Sequence, residues 1–544
     1  MNRDKRRYLR AALMVLLLLL TAGSLAVAIS RGIRDRGGQE SRNETEESTP
    51  CQEETEISPE ETAGTDEESS RDETKEGEDS VRETEKHPEA EEETQQEKGL
   101  NSRNQACDRE EPSPQETPYQ PPVLAIASDL HYQSHSITDR GKAYIDFIAG
   151  SDGKLIEYLP QLLDAFSDEI INTDVDVLIL SGDITMNGEA ENHQELSAKL
   201  ARIQEEGIPV LVIPGNHDIN NPNASYYFGD KKTQGQSVTP EEFYQYYRDL
   251  GYDQALSRDE ASLSYIYELD ERYWIMMLDT CQYEPVNLVG GRISEETLLW
   301  MEEWLQKAES ANVTVIPVGH HNLQPQSSLY TTDCALDNYQ EVTELLERFR
   351  LPVYISGHLH VQRVKKHRQI PVSEERLGPG ARMEAEQTYE REKEAYGIYE
   401  IVSNSLSITP CQYGIMSWDE KGNMTYGTKR VDVSAWAANQ GFTDQGLLNF
   451  EAYSKEYIKK IISRQIENKM DPVSMELMGE MTDLYAELYE AYYAGRIIDE
   501  KAVKSSMPWQ WWNRILPDSR QMREMRAMIG DSKEDHNYLY LPAS

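Results

Sequence analysis

Cysteine is scarce. The 544 residues hold five, at positions 51, 107, 281, 334 and 411, and no pair has zinc-ligand spacing. A dense disulfide framework and a thiolate metal site are both excluded. The five read as free, partly buried thiols, with a single bridge outside the cell as the alternative. Positive charge is short as well: 54 Lys and Arg stand against 97 Asp and Glu, for a formal net charge of −43. The imbalance is uneven, because Gln39 to Pro118 holds 28 acidic and 8 basic residues while the first 38 hold 8 basic and 2 acidic. That leaves −29 for the remainder. A surface of that sign repels nucleic-acid backbones and excludes long DNA or RNA as a ligand. Small anions could enter where a bound cation reverses the sign locally.

Long apolar runs are also missing, with one exception at the start. Arg3, Lys5, Arg6, Arg7 and Arg10 precede an uncharged run from Ala11 to Ile29. At helical rise that run spans about 28 Å, enough for a hydrocarbon layer. The basic cluster predicts an inside N-terminus and an exported remainder. Ala26-Val27-Ala28 resembles a cleavage site, so residues 1–38 read as a signal peptide or a membrane anchor, the anchor being favoured. The run's end has no cysteine near it, which argues against a lipid-modified N-terminus. Residues 39–118 lack large apolar side chains and cannot offset chain entropy by burial, which predicts a disordered, self-repelling acidic spacer.

Order is expected from Pro122. Six short apolar runs follow: Val123–Ser128, Val177–Ser181, Val210–Ile213, Tyr273–Leu278, Val313–Val318 and Val353–Ser356. Unalternating and β-branched, they read as strands buried on both faces. Leu155–Asn172, Glu189–Glu206 and Ser294–Glu309 have helical spacing, and Thr239-Pro240-Glu241-Glu242 is a capping box. Strands alternating with helices predict an α/β domain over 119–434. Short strands and turns from Tyr396 to Val433, including Asp419-Glu420-Lys421-Gly422, predict a closing antiparallel segment. After Trp436 the pattern becomes helical, predicting an all-α appendage over 435–544 with Met478, Met481, Tyr485, Leu488 and Tyr492 as a packing stripe. No internal repeat is evident.

The polar residues fall in a telling place. Five of the six runs end in Asp129-Leu130-His131, Gly182-Asp183, Gly215-Asn216-His217-Asp218, Gly319-His320-His321-Asn322 and Gly357-His358-Leu359-His360. Open α/β sheets gather their sites at these carboxyl ends. Six of the eleven histidines lie in these segments, too many for scattered structural residues. Imidazole and carboxylate together suit borderline cations such as Mn, Fe, Zn or Co, whereas Ca or Mg would take oxygen alone. A carboxylate can bridge two such ions, and two ions about 3.5–4 Å apart serve phosphate-ester hydrolysis.

This order of motifs resembles the calcineurin-like metallophosphoesterase superfamily over roughly Val123 to Val433. Ser128-Asp129-Leu130-His131-Tyr132, Gly182-Asp183-Ile184-Thr185 with Asn187-Gly188, Pro214 to Asn220 and Ser262-Leu263-Ser264-Tyr265 look like its exported bacterial branch, similar to class III cyclic-nucleotide phosphodiesterases. The C-terminal appendage also looks like one found there. The resemblance implies a β-sandwich flanked by helices and a two-metal centre. Asp129, His131 and His360 would hold one ion, and Asn216, His320 and His358 the other, with Asp183 bridging. His217 would face substrate and protonate the leaving oxygen, and Asp218 would orient or tune it. The nucleophile implied is a metal-bound hydroxide, with no covalent enzyme intermediate. Of the His320–His321 pair, the offset from the strand selects His320. His193 reads as a helix-surface histidine, and Tyr132 as a base-stacking or mouth-lining residue.

The expected activity is hydrolysis of small phosphodiesters, with cyclic nucleotides as candidates. Alternatives are a phosphomonoesterase, a hydrolase of cell-envelope phosphodiesters, or a non-catalytic surface binding module. The expected setting is outside the cell membrane, anchored through the N-terminal segment or secreted.

Overall fold

The computed structural model describes residues 119–367 and 397–543. The apolar run Ala11–Ile29, the acidic spacer 39–118, Cys51 and Cys107 lie outside the described residues. Of the other three cysteines, Cys334 and Cys411 are buried and Cys281 partly so. No helix among the described residues is long and apolar enough to cross a membrane.

The apolar runs do become strands. In chain order these are β1 Val123–Ala127, β2 Val177–Leu180, β3 Val210–Val212, a hairpin of β4 Ser225–Phe228 and β5 Lys231–Gln234, β6 Ser257–Arg258, β7 Tyr265–Glu268 and β8 Tyr273–Met277. Then come β9 Thr314–Val318, β10 Val353–Ser356, β11 Arg363–Lys366, β12 Tyr399–Val402, β13 Gln412–Trp418, β14 Met424–Arg430 and β15 Tyr538–Leu541. One sheet has the order β15-β14-β13-β1-β2-β3 and the other β11-β12-β10-β9-β8-β7-β6. In the first, β1, β2 and β3 run parallel; in the second, β8, β9, β10 and β12 do. Ile126 and Ile179 of the first sheet share one buried cluster with Ile275, Ile316 and Ile355 of the second. The domain is therefore a sandwich, as the resemblance implies.

Helices cover both outer faces. Leu159–Ile171 and Ala190–Glu205 join the first cluster through Leu162, Phe166, Leu196 and Leu200. Glu295–Ala311 and Tyr339–Arg348 place Met301, Leu305, Leu345 and Leu346 against Trp274, Met276, Val315 and Tyr354. Thr239 forms the expected capping box with Glu242 at the start of Pro240–Tyr247. Asp419 accepts from Gly422 in the turn between β13 and β14, the expected closing hairpin.

From Val433 the chain is helical through Asp531, with Phe450–Ile466 and Met478–Tyr493 the two long members. The Met/Tyr stripe packs as expected: Met481, Tyr485, Leu488 and Tyr492 are buried with Trp512 and Met525. One element departs from the all-α reading: β15 follows the last helix and pairs with β14. Tyr-Leu-Tyr-Leu alternates at the period of a strand, so this last element follows its local pattern. Val361 and Ile408 of the sandwich belong to the helical core, which fastens the appendage directly behind His360.

Candidate metal centre

The five polar strand ends converge. Asp129, His131, Asp183, His358 and His360 all adopt left-handed backbone, with φ of 52°, 45°, 48°, 71° and 60°. Each such residue costs on the order of 1 kcal/mol or more. Five of them take a sizeable share of the ~5–15 kcal/mol margin of a fold. They persist because the buried sheets below fix the turns. Two glycines permit the crowding: a Cβ on Gly215 would collide with Asp183, and one on Gly357 with Ser128.

Ligand atoms of Asp129, His131, Asp183 and His360 lie within 4.8 Å of one another, all buried. Nε2 of His131 faces Nε2 of His360 at 2.9 Å, and His360 Nε2 is 3.4 Å from Asp129 Oδ1. Beside them, His320 Nε2 is 3.2 Å from Asn216 Oδ1. One atom joins the two sets: Asp183 Oδ2 lies 3.9 Å from His131 Nε2 and 3.3 Å from His320 Nε2. Its other oxygen accepts the backbone N–H of His217 at 2.8 Å.

Partners outside the cluster fix which ring nitrogen faces in. His320 Nδ1 donates to Ser181 O at 2.9 Å, leaving Nε2 toward the cluster. His358 Nε2 donates to Asp333 O at 2.9 Å, which leaves Nδ1 to accept a cation. His321 differs. Its Nε2 donates to Val289 O at 2.9 Å and its Nδ1 accepts from the Thr280 hydroxyl at 2.8 Å. Although it lies within reach of His320 and His358, both its nitrogens are committed, so it braces the loop. His217 Nδ1 donates to Met186 O at 2.6 Å, with Asn187 Oδ1 at 3.1 Å.

The electrostatics suit the binding of cations. Burial works against ionisation of Asp183, yet the imidazoles of His320 and His217 hold it well below the usual carboxylate range. Burial also opposes protonated His320, but Asp183 pushes it up to about 9. Burial, then the charge of Lys154, drives His131 well below its ordinary value. Burial and neighbouring His320 bring His358 down to about 4. His131 Nδ1 is buried without a hydrogen-bond partner, and its Nε2 faces another imidazole with at most one proton between them. Imidazoles, carboxylates and one amide facing chiefly each other fit a pair of borderline divalent ions.

Three readings need correction. The oxygens of Asp218 accept from Ile184 N at 3.1 Å, Thr185 N at 2.8 Å, Gly215 N at 2.8 Å and the Thr185 hydroxyl at 2.7 Å. Asp218 therefore ties the second and third loops together, and Met186 with Asn187 orients the His217 ring. Burial, then the charge of Asp183, raises Asp218 to about 7. His193 is fully buried, held by the Tyr247 hydroxyl at 2.8 Å and Asp218 O at 2.9 Å, so it is no surface histidine. Tyr132 is buried too, its hydroxyl on Glu195 at 2.6 Å, and it neither lines a mouth nor offers a face for stacking.

Sequence reasoning also missed a supporting shell. Ser405 and Ser407 hydroxyls donate to Asp129 O at 2.7 and 3.2 Å, and Asn404 Nδ2 donates to His360 O at 2.7 Å. The run Ser403-Asn404-Ser405 directly after a buried strand was the available signal.

Residues 122–362 match the family model for calcineurin-like phosphoesterase, and 432–535 match that for the C-terminal domain of cyclic nucleotide phosphodiesterase. A probable cyclic nucleotide phosphodiesterase of Xenorhabdus bovienii is 24% identical over 198 residues, 36% of this chain and 66% of that protein. The aligned stretch thus spans just under two thirds of that relative. Another of the same description, from Psychrobacter arcticus, is 25% identical over 252 residues, 46% of this chain and 77% of that protein. Among solved structures, a dimetal phosphatase from Danio rerio aligns with a TM-score of 0.38 and 14% identity, covering 57% of this chain and 97% of that one. A purple acid phosphatase from yellow lupin aligns with a TM-score of 0.34 and 13% identity, covering 57% and 52%.

Proposed function

We propose that this chain, which matches the family model for calcineurin-like phosphoesterase over residues 122–362, is a two-metal hydrolase of small phosphodiesters, cyclic nucleotides among them. The observation that carries the reading is Asp183, whose Oδ2 faces His131 on one side and His320 on the other. Asp129, His131 and His360 with Asp183 would hold one ion; Asn216, His320 and His358 with Asp183 would hold the second. When bound, the pair supplies Lewis-acid charge at the phosphoryl oxygens and an activated water.

The remaining work falls to the protein. His217 donates from Nδ1 to Met186 O, so Nε2 is the atom that exchanges a proton with substrate and delivers it to the leaving oxygen. Asp218 keeps Thr185 and Gly215 in register, so the backbone N–H of His217 stays on Asp183. The acidic surface disfavours polyanions and leaves the local cationic centre as the attraction for a small substrate. The cyclic-nucleotide part of the reading is supported by the description of the matching C-terminal family model and by the two relatives. Export is supported by the basic cluster before Ala11–Ile29 and the acidic stretch after it.

The test is a substrate panel with the Mn-loaded protein: bis-p-nitrophenyl phosphate, p-nitrophenyl phosphate, and 2′,3′- and 3′,5′-cyclic nucleotides. A higher kcat/KM for diesters is expected. Preference for the monoester would overturn the phosphodiesterase reading.

A further inference from the structure

The histidines at the last polar strand end are held by a loop that the helical appendage grips. His358 Nε2 donates to Asp333 O at 2.9 Å, the contact that turns Nδ1 towards the cluster. Asp333 sits in left-handed backbone, at φ 54°, and Thr331, Thr332 and Asp333 are all exposed. A strained residue without burial of its own keeps its conformation when both flanks are fixed. On one flank, Asn322 N donates to Cys334 O at 3.2 Å and Leu336 N to Asn322 O at 2.9 Å. The other flank is Tyr330.

Tyr330 joins two cores. It packs against Cys334, Leu359 and Val402, and Leu359 stands between His358 and His360. It also packs against the core of the appendage, where its hydroxyl is hydrogen-bonded to that of Tyr493. Just before it the loop is gripped again. The Ser328 N–H and hydroxyl donate to the Asp531 carboxylate at 2.8 Å each, and the Ser327 hydroxyl meets that of Tyr492 at 2.5 Å. Tyr493, the last residue of the helix Met478–Tyr493, reaches the other histidine through its carbonyl. That oxygen accepts Gln362 N at 2.9 Å and Asn404 Nδ2 at 3.1 Å, and Asn404 Nδ2 also donates to His360 O at 2.7 Å.

We propose that Tyr330 and Tyr493 are positioning residues of the metal centre, their paired hydroxyls holding the loop whose Asp333 carbonyl sets the His358 ring. The inference rests on the two-metal reading. Ring orientation decides affinity, because an imidazole turned away from its ion loses the bond even when its backbone stays in place. His358 belongs with Asn216 and His320, so the hydroxyl pair acts on one ion. The Tyr493 carbonyl, which no side-chain change removes, serves the His360 side. The appendage is thereby a working part of the centre, although it supplies no ligand to either metal.

The experiment titrates Mn into the metal-free full chain by calorimetry and follows both binding steps. Tyr330→Phe and Tyr493→Phe each keep the ring and remove one hydroxyl. Each should weaken one step about tenfold and the other less than about threefold. The double variant should be no weaker than either single one, since both break the same contact. Tyr485→Phe is the control, because its hydroxyl lies in the same helical core but bonds Glu524, at 2.6 Å. It should lower the thermal midpoint and leave both Mn steps as they were. Unchanged Mn affinity in Tyr330→Phe overturns the inference. So do equal weakening of both steps, additive losses in the double variant, or an equal loss in Tyr485→Phe. A wild type that binds Mn in two steps yet hydrolyses no ester would fell the phosphoesterase reading alone; one that binds no Mn fells both.

Discussion

The backbone N–H of His358 donates to both carboxylate oxygens of Asp129, at 3.2 and 3.1 Å. The first strand end and the last are thereby locked together across 229 residues of sequence. Asp129 therefore works twice, offering charge to one set of donors while fixing the loop that supplies the other. Its replacement should damage both. For Asp129→Asn we expect loss of metal from both positions and a fall in kcat of at least about a hundredfold. Metal content per chain and diester turnover measure this. Retention of one fully occupied site would show that the loop lock does not depend on the charge.

Asp183 should be more sensitive still, because a single oxygen serves both donor sets. Asp183→Asn keeps the shape and removes the charge that raises His320 and would neutralise two cations. We expect under one metal per chain and turnover reduced on the order of a thousandfold. His217→Ala provides the contrast: both metals retained, and kcat lower by about 10²–10⁴ with little change in KM. Metal loss in His217→Ala would remove it from the acid role.

The pH dependence follows from His320. In the metal-free protein Asp183 raises it to about 9, so at pH 7 it carries a proton that a cation must expel. Apparent metal affinity should therefore rise with pH up to about 9 and then level. For the stability of the metal-free fold, a raised histidine contributes fully below its ordinary 6.5 and is lost as pH climbs through about 9. Lowered Asp183 contributes above its ordinary 3.8 and is lost as pH falls through its depressed value. Manganese titrations at pH 7 in buffers of different ionisation enthalpy should register net proton release. Absence of release would mean that His320 already lacks the proton at pH 7.

What could be read from the chain and what could not divide along a physical line. The strand ends were legible because buried strands and their terminal polar residues are contiguous, so hydrophobicity and chemistry mark the same few positions. Orientation was not legible. Asp218 follows His217, but its carboxylate turns back to Thr185 and Gly215 because those N–H groups would otherwise be buried and unmet. His193 sits near the start of a helix whose outer face is polar, and only the non-local arrival of Tyr247 buries it. Ser405 reaches the centre through contacts between distant segments, and no local spacing announces it. The final strand was legible in its alternation and was hidden by the helical run before it.

The pair His320–His321 separates ligand from brace. His320 presents Nε2 to Asn216 and Asp183, whereas both nitrogens of His321 are engaged by Thr280 and Val289. His320→Ala should empty the site shared with Asn216 and His358 and lower turnover by at least about a hundredfold. His321→Ala should keep both metals, because it removes no inward-facing donor. Its cost falls on stability: the Thr280 hydroxyl and Val289 carbonyl lose a partner in the interior, at about 1–3 kcal/mol each if no water replaces the ring. Turnover should fall only through looser placement of His320, with the denaturation midpoint dropping first. Metal analysis and thermal unfolding of both variants decide the assignment, and an emptied site in His321→Ala with a filled one in His320→Ala would reverse it.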